Sequence, residues 1–365
     1  MDFQLSDDQR ALRSGMRDLL GAVFDRDRLR AAVERGGALD RSLWRELGAA
    51  GFFALRLPEE AGGVGLGLPE AVLLFEEAGR ALLPGPLVAT HLAAGLVKGA
   101  AEGEAVVTAV DGDLPVAHLA GADAVLVGGN EPFGEPFDEA AGAEVLTGEA
   151  LRDLVAAARP VRSMDPLTPL HRVGAANAPP PTTERTRAAT VRTPAATERT
   201  PAHAGRFRFE AALLTAAEQL GSAARTTEAA VQHAGEREQF GSPVGSFQAV
   251  KHLCADMLAR TEPARAAVYA AAVTGDPVEI AAAKLLADEA AVRNARDCLQ
   301  IHGGMGFTWE ADVHLHLKRA WLRAASWLPG AGAEELLAAD LGAAGRLPRS
   351  SAAYGRPGPE AGGGG

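Results

Sequence analysis

Apolar residues near the start of the chain recur three and four positions apart, so Leu12, Met16, Leu19 and Leu20 share one face, the periodicity of an amphipathic helix. Ser6-Asp7-Asp8-Gln9 ahead of them has the form of a capping box, with acidic side chains beside the positive end of the helix it opens. Leu43, Trp44 and Leu47 continue the helical spacing, and the glycine-rich break at 57–70 separates them from a helix predicted over 71–83. From 104 onward the pattern changes to short apolar runs, VVTAV (106–110) and DAVLVGG (123–129), set between Gly, Pro and Asp; these predict short strands. From Phe209 to Gly342 long Ala- and Leu-rich stretches return, broken at Gly241-Ser242-Pro243, Gly275-Asp276-Pro277 and Gly303-Gly304. They predict a bundle of about four helices.

The expected fold class is mainly α with a small β domain. Its parts are an N-terminal helical domain over 1–103, a reduced middle β domain over 104–177 and a C-terminal helical bundle over 206–345. Between the last two, 178–205 is rich in Thr, Arg, Pro and Ala, and TERTRA (183–188) nearly repeats as TERTPA (197–202). So few apolar residues do not offset the entropy of ordering, and the stretch reads as a disordered linker in preference to a basic binding arm. Residues 346–365 read as a flexible tail, whose glycines carry no phosphate-binding meaning.

Composition narrows the function. The chain is 47% hydrophobic but only 5% aromatic, so Ala, Leu and Val must fill the interior, which favours helices. A formal net charge of −11 argues against a grip on a phosphate backbone, and nucleic acid is not an expected partner. The 36 Lys and Arg still leave room for a local phosphate pocket. Cys254 and Cys298 have neither metal-ligand spacing nor a disulfide framework and read as buried thiols, so no metal site is expected. No leader-like N-terminus and no long apolar run occurs, and the expectation is a cytoplasmic protein without a membrane span.

Two segments carry candidate chemistry. In REQFGSPVGSFQAVKHLCADM (237–257) a helix ends, a Gly-Ser-Pro turn follows and a new helix opens at Phe247-Gln248. The planar fork of Arg237 at such a break suits a pyrophosphate, and Phe240 beside it suits an adenine or flavin face. The plainer reading is that Arg237 caps a helix C-terminus and Phe240 plugs the core. In LQIHGGMGFTWE (299–310) the paired Gly303 and Gly304 let a backbone approach a ligand closely. Gly303 equally suits a left-handed helix cap, and His302 a packed histidine.

The two segments together, R-x-Q-F-G-x-P-x-G-x-F-Q and Q-I-H-G-G-x-G-F-T-W-E, resemble the acyl-CoA dehydrogenase family. LWRELGAAGFFALRLPEEAGGVGLG (43–67) and FEEAGRALLPGP (75–86) are similar to its first helical domain, and Gly221 matches a glycine of the helix before the R-x-Q-F-G motif. The resemblance covers nearly the whole chain except 176–206 and the tail. It implies an N-terminal helical domain, a middle β domain and a C-terminal four-helix bundle. It also implies FAD as cofactor, an acyl-CoA thioester as substrate, and α,β-dehydrogenation with a glutamate as base and flavin N5 as hydride acceptor. Electrons then pass to an electron-transfer flavoprotein. Arg237, Phe240, Gln300, Gly303 and Gly304 would reach the adenosine and pyrophosphate part of a neighbouring subunit's FAD, which requires a homo- or hetero-oligomer, a dimer or tetramer.

The sequence departs from the family pattern where the base belongs. Many members carry a Tyr-Glu-Gly-Thr-like turn after the Gly-Gly motif, and the ungapped counterpart here is SWLPGAG (326–332), without a carboxylate. Other members place the base on the helix before R-x-Q-F-G, where the counterpart is Ala211. Its neighbour Glu210 is the candidate base, although one residue turns a helical side chain by about 100°, and a solvated charge at a helix start is the alternative. Glu218 has no better claim as the base and equally reads as a surface or partner-facing charge. Asn130-Glu131-Pro132-Phe133-Gly134 echoes the family's ring-binding Thr-Glu-Pro segment but lacks its Ser-Asp, and reads as a turn. Two functions follow from these departures: a dehydrogenase with a relocated base, or a non-catalytic subunit that completes the FAD site of a catalytic partner. A helical scaffold without flavin leaves both glycine-containing motifs unexplained.

Overall fold

The computed structural model describes residues 4–127, 144–173 and 204–344. The Asn130–Gly134 turn, the tail over 346–365 and the linker up to position 203 lie outside the described residues.

The N-terminal part is built from α1 (Asp7–Val23), α2 (Arg26–Glu34), α3 (Arg41–Ala49), α4 (Leu68–Arg80) and α5 (Leu87–Ala93). The capping box forms at Ser6: its hydroxyl accepts the Gln9 N–H at 3.1 Å, and the Gln9 side chain accepts the Ser6 N–H at 3.1 Å. The predicted break over 57–70 folds back on itself through Gly65 N–H to the Leu57 carbonyl at 2.8 Å. Helix α4 starts three residues earlier than its apolar run, because Glu70 accepts the Gly67 N–H at 3.0 Å and closes its first turn. Trp44, Phe52, Phe53 and Phe75 stack into one aromatic cluster with centroids 4.8–5.3 Å apart.

Two small sheets follow. Strand β1 (Val107–Val110) pairs in parallel with β3 (Ala124–Val127), and β3 pairs antiparallel with β4 (Glu144–Leu146). The second sheet has the order β2 (Val116–Ala117), β6 (Leu170–Arg172), β5 (Arg159–Val161), with α6 (Gly148–Ala157) in the connection.

The C-terminal part holds three long helices, α7 (Ala204–Glu236), α8 (Gln248–Thr274) and α9 (Pro277–His302), then α10 (Val313–Ala324) and α11 (Gly330–Ala344). The helix α11 adds to the four that the breaks predict. Helices α8 and α9 are separated as the sequence suggests: Gly275 caps α8 at φ 64°, Asp276 accepts the Val278 and Glu279 N–H groups, and Pro277 opens α9. Helix α7 is buried on nearly every side, and it meets α4 at a double glycine contact. A Cβ on Gly221 would lie 1.8 Å from the Glu76 carbonyl oxygen, and one on Gly79 would lie 2.0 Å from that of Glu218. The acidic pair inside α4 is neutralised by neighbouring helices: Glu77 takes two bonds from Arg17 of α1, at 2.6 and 2.8 Å, and Glu76 pairs with Arg265 of α8 and accepts the Tyr269 hydroxyl at 2.6 Å. The fold is therefore mainly α with a small β part between two helical parts. No helix among the described residues is long and apolar enough to cross a membrane.

Candidate functional site

Helix α7 ends one residue before Arg237, whose N–H still donates to the His233 carbonyl at 2.9 Å. The chain then makes a minimal hairpin, β7 (Glu238–Gln239) against β8 (Ser242–Pro243), turning through Phe240 and Gly241. Both turn residues have positive φ, 54° and 80°, as a type I′ turn demands. A phenylalanine is badly suited to that position, and its ring does not plug the core: it is 93% exposed, edge-on to Phe247 at 6.1 Å.

The end of α9 lies beside the end of α7. His302 stacks on His233 with ring centroids 4.1 Å apart, and its Nδ1 sits 2.8 Å from the Cys298 carbonyl oxygen. Gly303 donates its N–H to the Gln300 carbonyl, so it does cap the helix. Its conformation, φ 60° and ψ −142°, is not the left-handed cap but a region open essentially to glycine alone. Gly304 follows with open space where a Cβ would stand.

These elements border a cavity of about 1210 Å³ between α1, α4, the ends of α7 and α9 and the turn after α9. Arg237, Gly303 and Gly304 line it, together with His233, His302 and Arg225. Arg237 is exposed, and its guanidinium makes no ion pair or hydrogen bond among the described residues. Phe240 and Gln300 are exposed at the same end of the bundle but are not part of the lining.

The candidate carboxylates sit elsewhere. Glu210 receives two bonds from Arg56, at 2.8 and 3.2 Å, and lines neither this cavity nor the smaller one described below. Glu218 is not the surface charge that the sequence suggests: it is buried and accepts from Arg323 at 2.6 Å. Burial pushes the Glu218 carboxyl up and, despite the pairing, the Arg323 guanidinium down to about 10. In the 326–332 turn, Trp327 stands at φ 64°, its N–H donates to the Asp111 carboxylate, and Arg208 donates to its carbonyl at 3.0 Å. Asp111 has no signal in the sequence; it comes to this turn across 216 residues of chain, and burial raises its carboxyl.

Residues 6–102 match the family model of the acyl-CoA dehydrogenase N-terminal domain, and 205–345 that of its C-terminal domain. The chain is 34% identical over 320 residues to acyl-CoA dehydrogenase IpdE2 of Mycobacterium tuberculosis, covering 86% of this chain and 91% of that protein. This chain belongs to the acyl-CoA dehydrogenase family. It is also 36% identical over 343 residues to acyl-CoA dehydrogenase FadE34 of the same organism, of whose length it spans 46%. Among solved structures, the ChsE4-ChsE5 complex from Mycobacterium tuberculosis shares the fold with a TM-score of 0.74 at 22% identity, covering 94% of this chain and 99% of that one. The arrangement that stands out is an arginine unpaired among the described residues and two glycines with open space beside them on a large cavity, while the candidate carboxylates Glu210 and Glu218 lie away from it in ion pairs with Arg56 and Arg323.

Proposed function

We propose that this chain acts in an oligomeric acyl-CoA dehydrogenase as the subunit that completes the FAD site of a catalytic partner chain, without turning over substrate itself. The observation that carries this reading is the shared cavity wall of Arg237, Gly303 and Gly304, with the Arg237 guanidinium unpaired among the described residues and open space beside both glycines. FAD, when bound, supplies the hydride acceptor for oxidation of the acyl-CoA thioester.

The residues fit only half of that cofactor. An unpaired guanidinium fork and glycines open to a neighbour suit a diphosphate, and the exposed Phe240 and Gln300 suit the adenosine end. The space beside the 326–332 turn is about 130 Å³, below the roughly 300 Å³ at which small-molecule pockets begin. On this reading the ring, the acyl-CoA and the base belong to the partner. An electron-transfer flavoprotein docking on the assembly would take the electrons. Arg237 would hold the diphosphate, with the Gly303-Gly304 backbone beside it excluding water.

Absorption spectra of the purified chain, alone and coexpressed with a catalytic family member, test this. The expected result is flavin only in the coexpressed material, at about one per pair of chains, and bleached by acyl-CoA. Stoichiometric flavin in the lone chain, with bleaching abolished by Glu210→Gln, would instead establish a self-sufficient dehydrogenase with a relocated base.

A further inference from the structure

The wall of the large cavity carries two imidazoles that the diphosphate reading leaves without a role. His233, in the last turn of α7, and His302, the last residue of α9, stack with centroids 4.1 Å apart and planes 20° from parallel, and both line the cavity. His302 uses Nδ1 on the Cys298 carbonyl oxygen at 2.8 Å; that nitrogen carries the proton of the neutral ring and leaves Nε2 as an acceptor. Neither nitrogen of His233 has a hydrogen bond among the described residues, and neither is shut off from solvent. Arg237 follows four residues later, its N–H bonded to the His233 carbonyl, which places the two side chains on one face of α7.

The charges around the pair decide its protonation. The carboxylates on the cavity wall are engaged elsewhere: Glu77 and Asp312 sit in arginine ion pairs, Asp25 caps α2, and Glu236 and Glu310 accept from Gln232 and Thr308. Every arginine of the wall except Arg237 has a carboxylate within 4.0 Å among the described residues. Burial, His302 and Arg237 together hold the His233 imidazole below its ordinary value, against the pull of Glu236. Cys298, the titratable neighbour on α9, is pushed up by burial to about 12 and stays a neutral thiol. His233 is therefore neutral near pH 7 while the cavity is empty. An anion beside it reverses that balance, because negative charge favours the protonated ring, while repulsion between like charges 4.1 Å apart keeps the second ring of the stack neutral.

We propose that the His233-His302 pair is a proton-loading contact for the diphosphate: one proton enters the stack from solvent as the anion settles against Arg237, so that an imidazolium and a guanidinium hold it together. This role rests on the reading of the cavity as a diphosphate site, and it gives binding a sign in pH. Between the raised value of the loaded site and the lowered value of the empty one, affinity rises as pH falls, by up to about tenfold per unit.

The test titrates the full chain calorimetrically with ADP-ribose, whose diphosphate is bridged on both sides and has no group titrating near neutrality, and with adenosine as the uncharged control. ADP-ribose is expected to bind about tenfold more tightly at pH 6 than at pH 8, with close to one proton taken up when buffers of different ionisation heat are compared; adenosine is expected to show neither effect. His233→Gln is expected to abolish the pH dependence and the proton uptake, and His302→Asn, which keeps a donor for the Cys298 carbonyl, to weaken both. His233→Lys carries a charge that does not titrate in this range, and it is expected to restore at pH 8 the affinity that the parent shows at pH 6. ADP-ribose bound without proton uptake, or a pH profile unchanged in His233→Gln, would overturn the proton-loading role and leave the diphosphate reading standing. No binding at either pH would overturn it as well, and flavin in the coexpressed assembly then tells whether the diphosphate reading falls with it.

Discussion

Gly303 illustrates how a single residue here answers to two demands. Its φ of 60° and ψ of −142° exclude a Cβ by backbone strain, although space for one exists. Gly303→Ala is therefore expected to lower stability by about 1–3 kcal/mol, read by urea denaturation; an unchanged midpoint would mean that the turn has no such requirement. Arg237 is the opposite case. Exposed and unpaired, its change to Ala should leave stability within about 0.5 kcal/mol while flavin retention by the coexpressed assembly falls several-fold, and equal flavin content would count against the diphosphate role. Four buried histidines set a pH dependence. Burial lowers His91 and His314 to about 4 and His118 and His316 to about 3. They are neutral in the fold, while the unfolded chain protonates them near 6.5. Below that pH the unfolded state binds more protons, so stability is full above 6.5 and is lost as pH falls toward 4, by about 1.4 kcal/mol per pH unit for each histidine. Glu218 and Asp111, raised by burial, act with the opposite sign. A thermal midpoint that falls between pH 7 and 5, less steeply in His316→Gln, is the expected result.

Among the elements, the crossing of α4 and α7 is the tightest joint. Gly221 is visible in the sequence only as a family-like glycine, because nothing in its neighbours announces that the Glu76 carbonyl will stand 1.8 Å from its missing Cβ. Since the obstacle is backbone on both sides, Gly221→Ala must push the helices apart, and losses of about 3 kcal/mol or more are expected from overpacking, measured against Gly235→Ala, a helical glycine of α7 with open space. Similar stabilities of the two variants would refute the close crossing. The same crossing carries Glu218 inward, which explains why it is not the partner-facing charge its polar character suggests. Long helices with acidic residues read as solvated from sequence, and only the position of Arg323 on α10 makes burial tolerable.

For the whole molecule, the telling feature is where apolar surface is left uncovered. Phe240 (93% exposed) lies in the hairpin after α7, and Met305 (62%) and Phe307 (73%) lie in the turn after α9, where Met305 lines the large cavity. Large aromatic side chains left in water at one place mark an association surface. Paired substitution of Phe240 and Phe307 by Ser is expected to weaken assembly with a catalytic partner by about 2 kcal/mol or more, roughly thirtyfold, in sedimentation equilibrium, without lowering the thermal midpoint of the lone chain. Assembly unaffected by both changes would place the interface elsewhere.

What the sequence determined alone is whatever local chemistry settles: the Ser6 capping box, the Gly275-Asp276-Pro277 stop and start, the helix ends at Arg237 and Gly303, and the change to short strands after residue 104. Each depends on residues within a turn or two of one another, so periodicity and capping suffice. Only the tertiary structure decided which charges are available. Glu210 meets Arg56 over 154 positions, Asp111 meets the 326–332 turn over 216, and Arg319 meets Asp165 over 154. Such pairings depend on how helices and sheets dock, and the docking is set by summed burial over many residues, which no local pattern encodes.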